Sequence, residues 1–414
     1  MPAPTPPATA ATSRQSLGRR LMAVREHSLA LIAQLNAEDM GLQSMPDASP
    51  VKWHLAHTTW FFETLVLAVH APGYRFHNER WLPLFNSYYE ALGPRHPRPQ
   101  RGLLSRPTVA EVLAYRAAVD AALSTFVRDA DGDSFAAAAE LLELGLQHEQ
   151  QHQELLLTDV LHAFSLNPLR PAVLPDAAFL SMPRVSAPGW VEHGGGRVEV
   201  GHAGSPMAGF AFDSETPRHA VLLQPYALSQ RLVTQGEYSA FVSDGGYRQP
   251  ALWLSDGWAA VQAQGWTAPL YWTADTRGVP SHQFGLHGEV PWRPDEPVRH
   301  LSFFEAAAYA EWAAARLPTE FEWEAAAGGP AQARLPDMFA STWQWTRSSY
   351  DPYPRFRPQT GAVGEYNGKF MVGQMVLRGS SVATPSGHAR PSYRNFFPPS
   401  ARWQFSGLRL ARDL

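Results

Sequence analysis

Leu146 to Asp159 reads LQHEQQHQELLLTD, a run of good helix formers in which His148 and His152 stand four residues apart. In an α-helix the positions i, i+3, i+4 and i+7 share one face, so His148, Gln151, His152 and Leu155 point the same way. Two imidazoles so placed can grip one metal ion. The string His148-Glu149-Gln150-Gln151-His152 also satisfies the H-E-x-x-H pattern of zinc metalloproteases, in which the glutamate is the general base. The two readings part at the third ligand. A metzincin would continue with a glycine and a histidine where Leu155 and Thr158 stand. A zincin with a carboxylate ligand needs an acidic residue further along, and none lies between Asp159 and Asp176. A metal hydrolase is therefore the weaker alternative.

Outward from this stretch, helical periodicity runs from about Leu17 to Ser165. Thr108 followed by Glu111 predicts a capping box at the start of one helix. Ser49-Pro50 predicts the start of another over Pro50–Val69, and Ser134 the cap of a third over Phe135–Phe164. Four long helices make a bundle, in which facing helices supply ligands to one centre. The helix from Pro50, SPVKWHLAHTTWFFET, offers His54 and His57 as third ligands. Three neutral imidazoles suit a non-heme iron(II) with open positions, and zinc would accept the same set, so ligand type leaves the ion open. The loop from about Ala71 to Arg106 is long and aromatic, as functional loops often are.

After Asn167 a proline-rich stretch leads into a region of Gly, Trp and short strand-like runs. RVEVGHAG, HAVLLQPYALS and QMVLRGSSV read as strands, SFFEAAAYAEWAAAR and TEFEWEAAA as short helices. The expected organisation is a flexible tail at 1–15, a helical bundle at 16–167, a linker at 168–190 and an α+β domain at 191–414. The chain's 414 residues, 45% apolar and 17% charged with a net charge of −4, fit a globular protein with a small-molecule ligand and not a nucleic-acid binder. Cysteine is absent, which excludes disulfides, thiolate metal sites and a cysteine nucleophile. With no signal-like or membrane-spanning run, the expectation is a cytoplasmic protein that does not engage a membrane.

Four separated strings, SPVKWHLAHTTWFFET, LFNSYYEALGPRHPRPQRGLLSRP, HEQQHQEL and RPSYRNFFPPSARWQFSGLRLA, closely resemble the ergothioneine-pathway sulfoxide synthases, or hercynine oxygenases. The resemblance spans about Arg14 to Leu414. It implies an N-terminal DinB-like four-helix bundle followed by a C-type-lectin-like domain of the formylglycine-generating-enzyme fold. It further implies Fe(II) held by His57, His148 and His152, leaving His54 outside the ligand set. The implied reaction is an O2-dependent joining of a thiol sulfur to C2 of the hercynine imidazole, giving a sulfoxide. The active-site tyrosines of one subgroup match Tyr88 and Tyr89. Gln151, Asn395, Phe396 and Phe397 match hercynine-binding positions, although other members carry Trp and Asp where Phe396 and Phe397 stand. Arg98 and Arg101 match arginines that bind the carboxylate of the thiol substrate, for which cysteine, then γ-glutamylcysteine, is expected. A selenium donor, another thiol, or histidine as acceptor are the nearest variants. Formylglycine generation itself needs cysteines, which this chain lacks.

Overall fold

The Thr108 side chain accepts the Glu111 backbone N–H while the Glu111 carboxylate accepts the Thr108 N–H, so the capping box forms as its sequence requires. The helix it opens, Val109–Asp129, buries Val112, Tyr115, Arg116, Val119, Leu123 and Phe126, one stripe at three- and four-residue spacing. The structure, a computed structural model, describes residues 8–175, 188–204 and 209–414. The chain divides into two units, Met1–Leu166 and Asn167–Leu414.

Among the described residues the long helices of the first unit are α1 (Ala8–Leu31), α2 (Val51–Phe62), α3 (Val109–Asp129) and α4 (Gly132–Ser165). Both α1 and α2 pack against α3 and α4. Helix α1 starts at Ala8, inside the expected tail, because Ala8, Ala10 and Ala11 are strong helix formers. Residues 1–7 lie outside the described residues. The cap of α4 is Asp131 and not Ser134; the Asp131 carboxylate accepts from both the backbone N–H and the hydroxyl of Ser134, so the helix starts earlier, at Gly132. Ser49 does not cap α2 either: its N–H is taken by Asp159 and its hydroxyl by Arg101. Helix α2 widens into a π-turn at Glu63–Leu67, where the buried Glu63 carboxylate accepts from Tyr74 Oη, Tyr115 Oη and the His77 N–H. The segment from Ala71 to Arg106 holds a one-turn helix, Leu82–Phe85, and several 3₁₀ turns.

The second unit is α+β. Strands Trp343–Ser349, Met375–Arg378, Asn395–Phe397 and Ser406–Gly407 form a four-stranded sheet; a three-stranded sheet joins Trp190–His193, Tyr226–Ser229 and Ala411–Asp413. Helices Phe303–Trp312 and Glu320–Ala327 each open with a capping box, from Ser302 and Thr319. Trp323 and Trp345 are fully buried, and their indole N–H groups are satisfied by Gln344 and the Leu301 carbonyl. Glu320 ties Arg378 and Arg394 into a buried ion cluster. Val173 and Leu174, in the expected linker, hydrogen-bond to the Leu286 carbonyl. Among the described residues no helix is long and apolar enough to cross a membrane.

Candidate metal centre

Helix α2 presents His57 and α4 presents His148 and His152, and the packing of these two helices brings one ligand nitrogen of each histidine within 4.8 Å of the others. Among the described residues these three form the group that can hold a metal ion. Their ring centroids are 4.6 to 4.9 Å apart. The α-helical step of four residues delivers two of them, and the third arrives across the helix interface.

His57 Nδ1–H donates to the Phe85 carbonyl at 2.6 Å, the last residue of the one-turn helix, which fixes its tautomer and leaves Nε2 bare. That Nε2 is buried without a hydrogen-bond partner. The ring is sandwiched between Trp53, at 4.7 Å, and Trp60, at 5.8 Å, which prevents it from rotating away. Burial drives the His57 imidazole well below its ordinary pKa, and the neighbouring His148 adds to the shift. Burial takes His148 down to about 3, and lowers His152 well below its usual value together with His148 and His57. All three are thus neutral bases at pH 7. Three neutral imidazoles converging with a buried, unmatched Nε2 fit a divalent cation.

His54, outside the expected ligand set, stands behind His152. Its Nδ1 lies 2.8 Å from His152 Nδ1 and its Nε2 lies 3.1 Å from Asp159 Oδ2. Sequence reasoning passed over Asp159, although it lies seven residues after His152 and so on the same face of α4.

Glu149, the would-be general base of the H-E-x-x-H reading, faces elsewhere. Its carboxylate accepts from Arg25 at 2.8 Å, from Arg116 and from the Ser28 hydroxyl. Burial alone would raise this carboxyl, but Arg116 and Arg25 outweigh it and hold it at about 2. A carboxylate saturated by two guanidiniums is not a base for a metal-bound water.

Gln151 is half-buried on the histidine face of α4. Tyr89 is fully buried, its ring 5.6 Å from Trp60 and 6.5 Å from Phe61; these residues lie in turn against His57 and His148. Tyr88 is half-buried, its ring 4.6 Å and its hydroxyl 3.5 Å from those of Tyr89. Asn86, unnoticed in the sequence, pins this loop by bonding the Tyr89 backbone on both sides and the Gly93 carbonyl.

The two arginines differ. Arg98 is exposed, whereas Arg101 is 3% exposed, lies 3.3 Å over the Trp53 ring and donates to Ser49 Oγ and Ser87 Oγ. Among the described residues no carboxylate makes an ion pair with Arg101, and its Nε is buried without a partner. Burial, with repulsion from Arg98, brings this guanidinium down to about 8. Asn395, Phe396 and Phe397 form a strand of the second unit, where Phe396 stacks at 4.1 Å on Tyr350 and Phe397 meets Trp403 edge-on.

A helical bundle that brings three imidazoles together, followed by an α+β domain, is the architecture of a two-domain enzyme with a candidate metal site. Residues 20–156 match the DinB superfamily, and residues 176–336 and 330–414 match the sulfatase-modifying factor enzyme 1-like domain. The hercynine oxygenase of Mycolicibacterium smegmatis is 32% identical over 97% of this chain and 100% of its own. That of Mycolicibacterium thermoresistibile is 33% identical over 97% and 95%, and that of Mycobacterium tuberculosis 33% over 97% and 100%. The chain belongs to the hercynine oxygenase family, and it is an oxygenase.

Proposed function

We propose that this chain is an iron(II)- and O2-dependent sulfoxide synthase of ergothioneine biosynthesis. It joins the sulfur of cysteine, or of γ-glutamylcysteine, to C2 of the hercynine imidazole. The balance is one thiol, one imidazole C–H and one O2 giving a C–S bond, a sulfoxide oxygen and one water. The observation that carries the reading is the meeting of three neutral imidazoles, His57, His148 and His152, in a chain whose full-length relatives are hercynine oxygenases.

Iron(II) bound by these side chains would supply the redox chemistry of oxygen activation and open positions at which the two substrates become neighbours. The protein's own groups do the rest. Trp53 and Trp60 hold the His57 ring and keep water from its face. Gln151, on the ligand face, is the hercynine contact within the bundle. Arg101, buried without a carboxylate of its own, suits the carboxylate of the thiol substrate, since a guanidinium fork pairs with it bidentately. Tyr88 and Tyr89 are the proton donors, each through Oη; a proton delivered there favours C–S coupling over oxidation of the thiol to a sulfinate. The roles of Asn395, Phe396 and Phe397 in binding hercynine, and of Arg98 beside Arg101, rest on family resemblance alone.

Protein loaded anaerobically with Fe(II), then given hercynine, cysteine and air, is expected to form hercynylcysteine sulfoxide, read by mass spectrometry. No C–S product with either thiol would remove the proposal. A panel of thiol and selenium donors at fixed hercynine, and histidine in place of hercynine, identifies the substrate pair.

A further inference from the structure

His152 is half-buried and would, alone, be free to present either ring nitrogen. Its neighbour is a second side chain, His54, whereas His57 is held by a backbone carbonyl and a ring sandwich. Behind it runs a line of three groups: Asp159 Oδ2, His54 Nε2 at 3.1 Å, and His54 Nδ1 at 2.8 Å from His152 Nδ1. His54 and Asp159 are both buried. Asp159 Oδ2 also accepts the Ser49 N–H at 2.8 Å, which holds the carboxylate in place at the start of α2.

Hydrogen-bond chemistry sets the direction of this line. An ionised carboxylate only accepts, so the proton between Asp159 and His54 sits on His54 Nε2. With its Nε2–H directed at Asp159, His54 turns Nδ1 to His152 as the acceptor, and the proton between the rings belongs to His152 Nδ1. His152 Nε2 is left bare. We propose that Asp159 and His54 are positioning residues that lock His152 into the tautomer whose Nε2 points at the metal centre. They act through His152 and touch neither metal nor substrate. The placement mirrors what the Phe85 carbonyl does for His57, with a side-chain relay replacing a main-chain oxygen.

The inference rests on reading His57, His148 and His152 as metal ligands, and its test separates the two. Metal affinity of the full-length protein is measured with Co(II) and with Fe(II) under argon, by competition against a chromophoric chelator. Circular dichroism on the same samples reports the fold. His148→Ala is the control for the ligand set: if the wild type binds neither ion, or if His148→Ala binds as tightly as the wild type, it is the metal reading that falls.

At position 54, three variants decide. His54→Leu removes both bonds. His54→Asn places its amide oxygen where Nδ1 was and restores the acceptor for His152, while losing the reach to Asp159. His54→Gln places its amide where Nε2 was and restores the bond to Asp159, while losing the acceptor. The leucine variant is expected to bind metal about ten- to a hundredfold more weakly, as loss of an outer-shell partner does. The asparagine variant should recover most of that and the glutamine variant little. If His54 merely anchors the start of α2 through Asp159, glutamine rescues and asparagine does not. An asparagine variant that binds no more tightly than the glutamine one overturns the proposal, whether or not the leucine variant folds. So does a leucine variant with wild-type affinity.

Discussion

His148 and Glu149 are neighbours on α4, both buried, and their surroundings are opposite in kind. The Glu149 carboxylate is overmatched, gripped by Arg25, Arg116 and Ser28, with Arg25 further tied to Asp120 and Thr59. The imidazole face, a hundred degrees round the same helix, gathers three neutral bases whose ligand nitrogens lie within 4.8 Å of one another. One face spends its polar groups on each other and holds α1, α3 and α4 together. The other buries imidazoles that converge on one point, the unmatched His57 Nε2 among them, which is the mark of a candidate ligand site.

The sharpest way to break this contrast is to exchange the consequences of mutation on the two faces. His148→Ala should lose the metal and with it the reaction, a drop on the order of a thousandfold, equivalent to about 4 kcal/mol of transition-state stabilisation. Its apo form should remain folded. Metal content per chain and product formation check the first; urea denaturation checks the second. A variant that kept both metal and turnover would make the imidazole face an ordinary polar core.

Glu149→Gln should do the reverse. Arg116 loses its anion and Arg25 keeps Asp120 alone, so unfolding free energy should fall by about 3 kcal/mol. Whatever protein remains folded should bind metal normally. Loss of turnover with stability intact would restore Glu149 as a general base and the hydrolase reading with it.

Acid separates the faces by pH window. Glu149 is held at about 2 against an ordinary 4.5, so the unfolded state binds its proton first and this stability is lost as pH falls from 4.5 towards 2. His148 is held at about 3 against 6.5 by burial, so the unfolded state again takes up the proton the native state refuses, and stability declines already below pH 6.5. Without metal, the His148→Ala protein should therefore be flatter than wild type between pH 6.5 and 4.5, and Glu149→Gln flatter between 4.5 and 2. Urea midpoints taken across pH 2 to 7 read both slopes.

What could be read in advance follows from range. The His148–His152 pair, the capping box at Thr108–Glu111 and the stripe on α3 are periodic within one element, so the chain's own spacing exposes them. The cap of α4 misled because Asp131 and Ser134 are both good capping residues, and the carboxylate, which accepts twice from Ser134, prevails. Arg101 and Arg98 look alike in a loop with no period, yet one is buried over Trp53 and the other faces water. His54 and Asp159 belong to different helices 105 residues apart, and only the packing of α2 on α4 makes them partners.

The mildest prediction is also the cleanest test of the division. Ser28 Oγ donates to Glu149 and accepts from Gln153 Nε2. Ser28→Ala removes one acceptor and one donor from a network that keeps both guanidiniums, so the expected loss is about 1 kcal/mol, the worth of a buried hydrogen bond. Ser28 sits on α1, against the Glu149 face and away from the histidines. Metal affinity should be unchanged within error while the urea midpoint falls. A parallel fall in metal affinity would mean that the two faces of α4 are mechanically coupled, and that the ion cluster positions the ligands as well as holding the bundle.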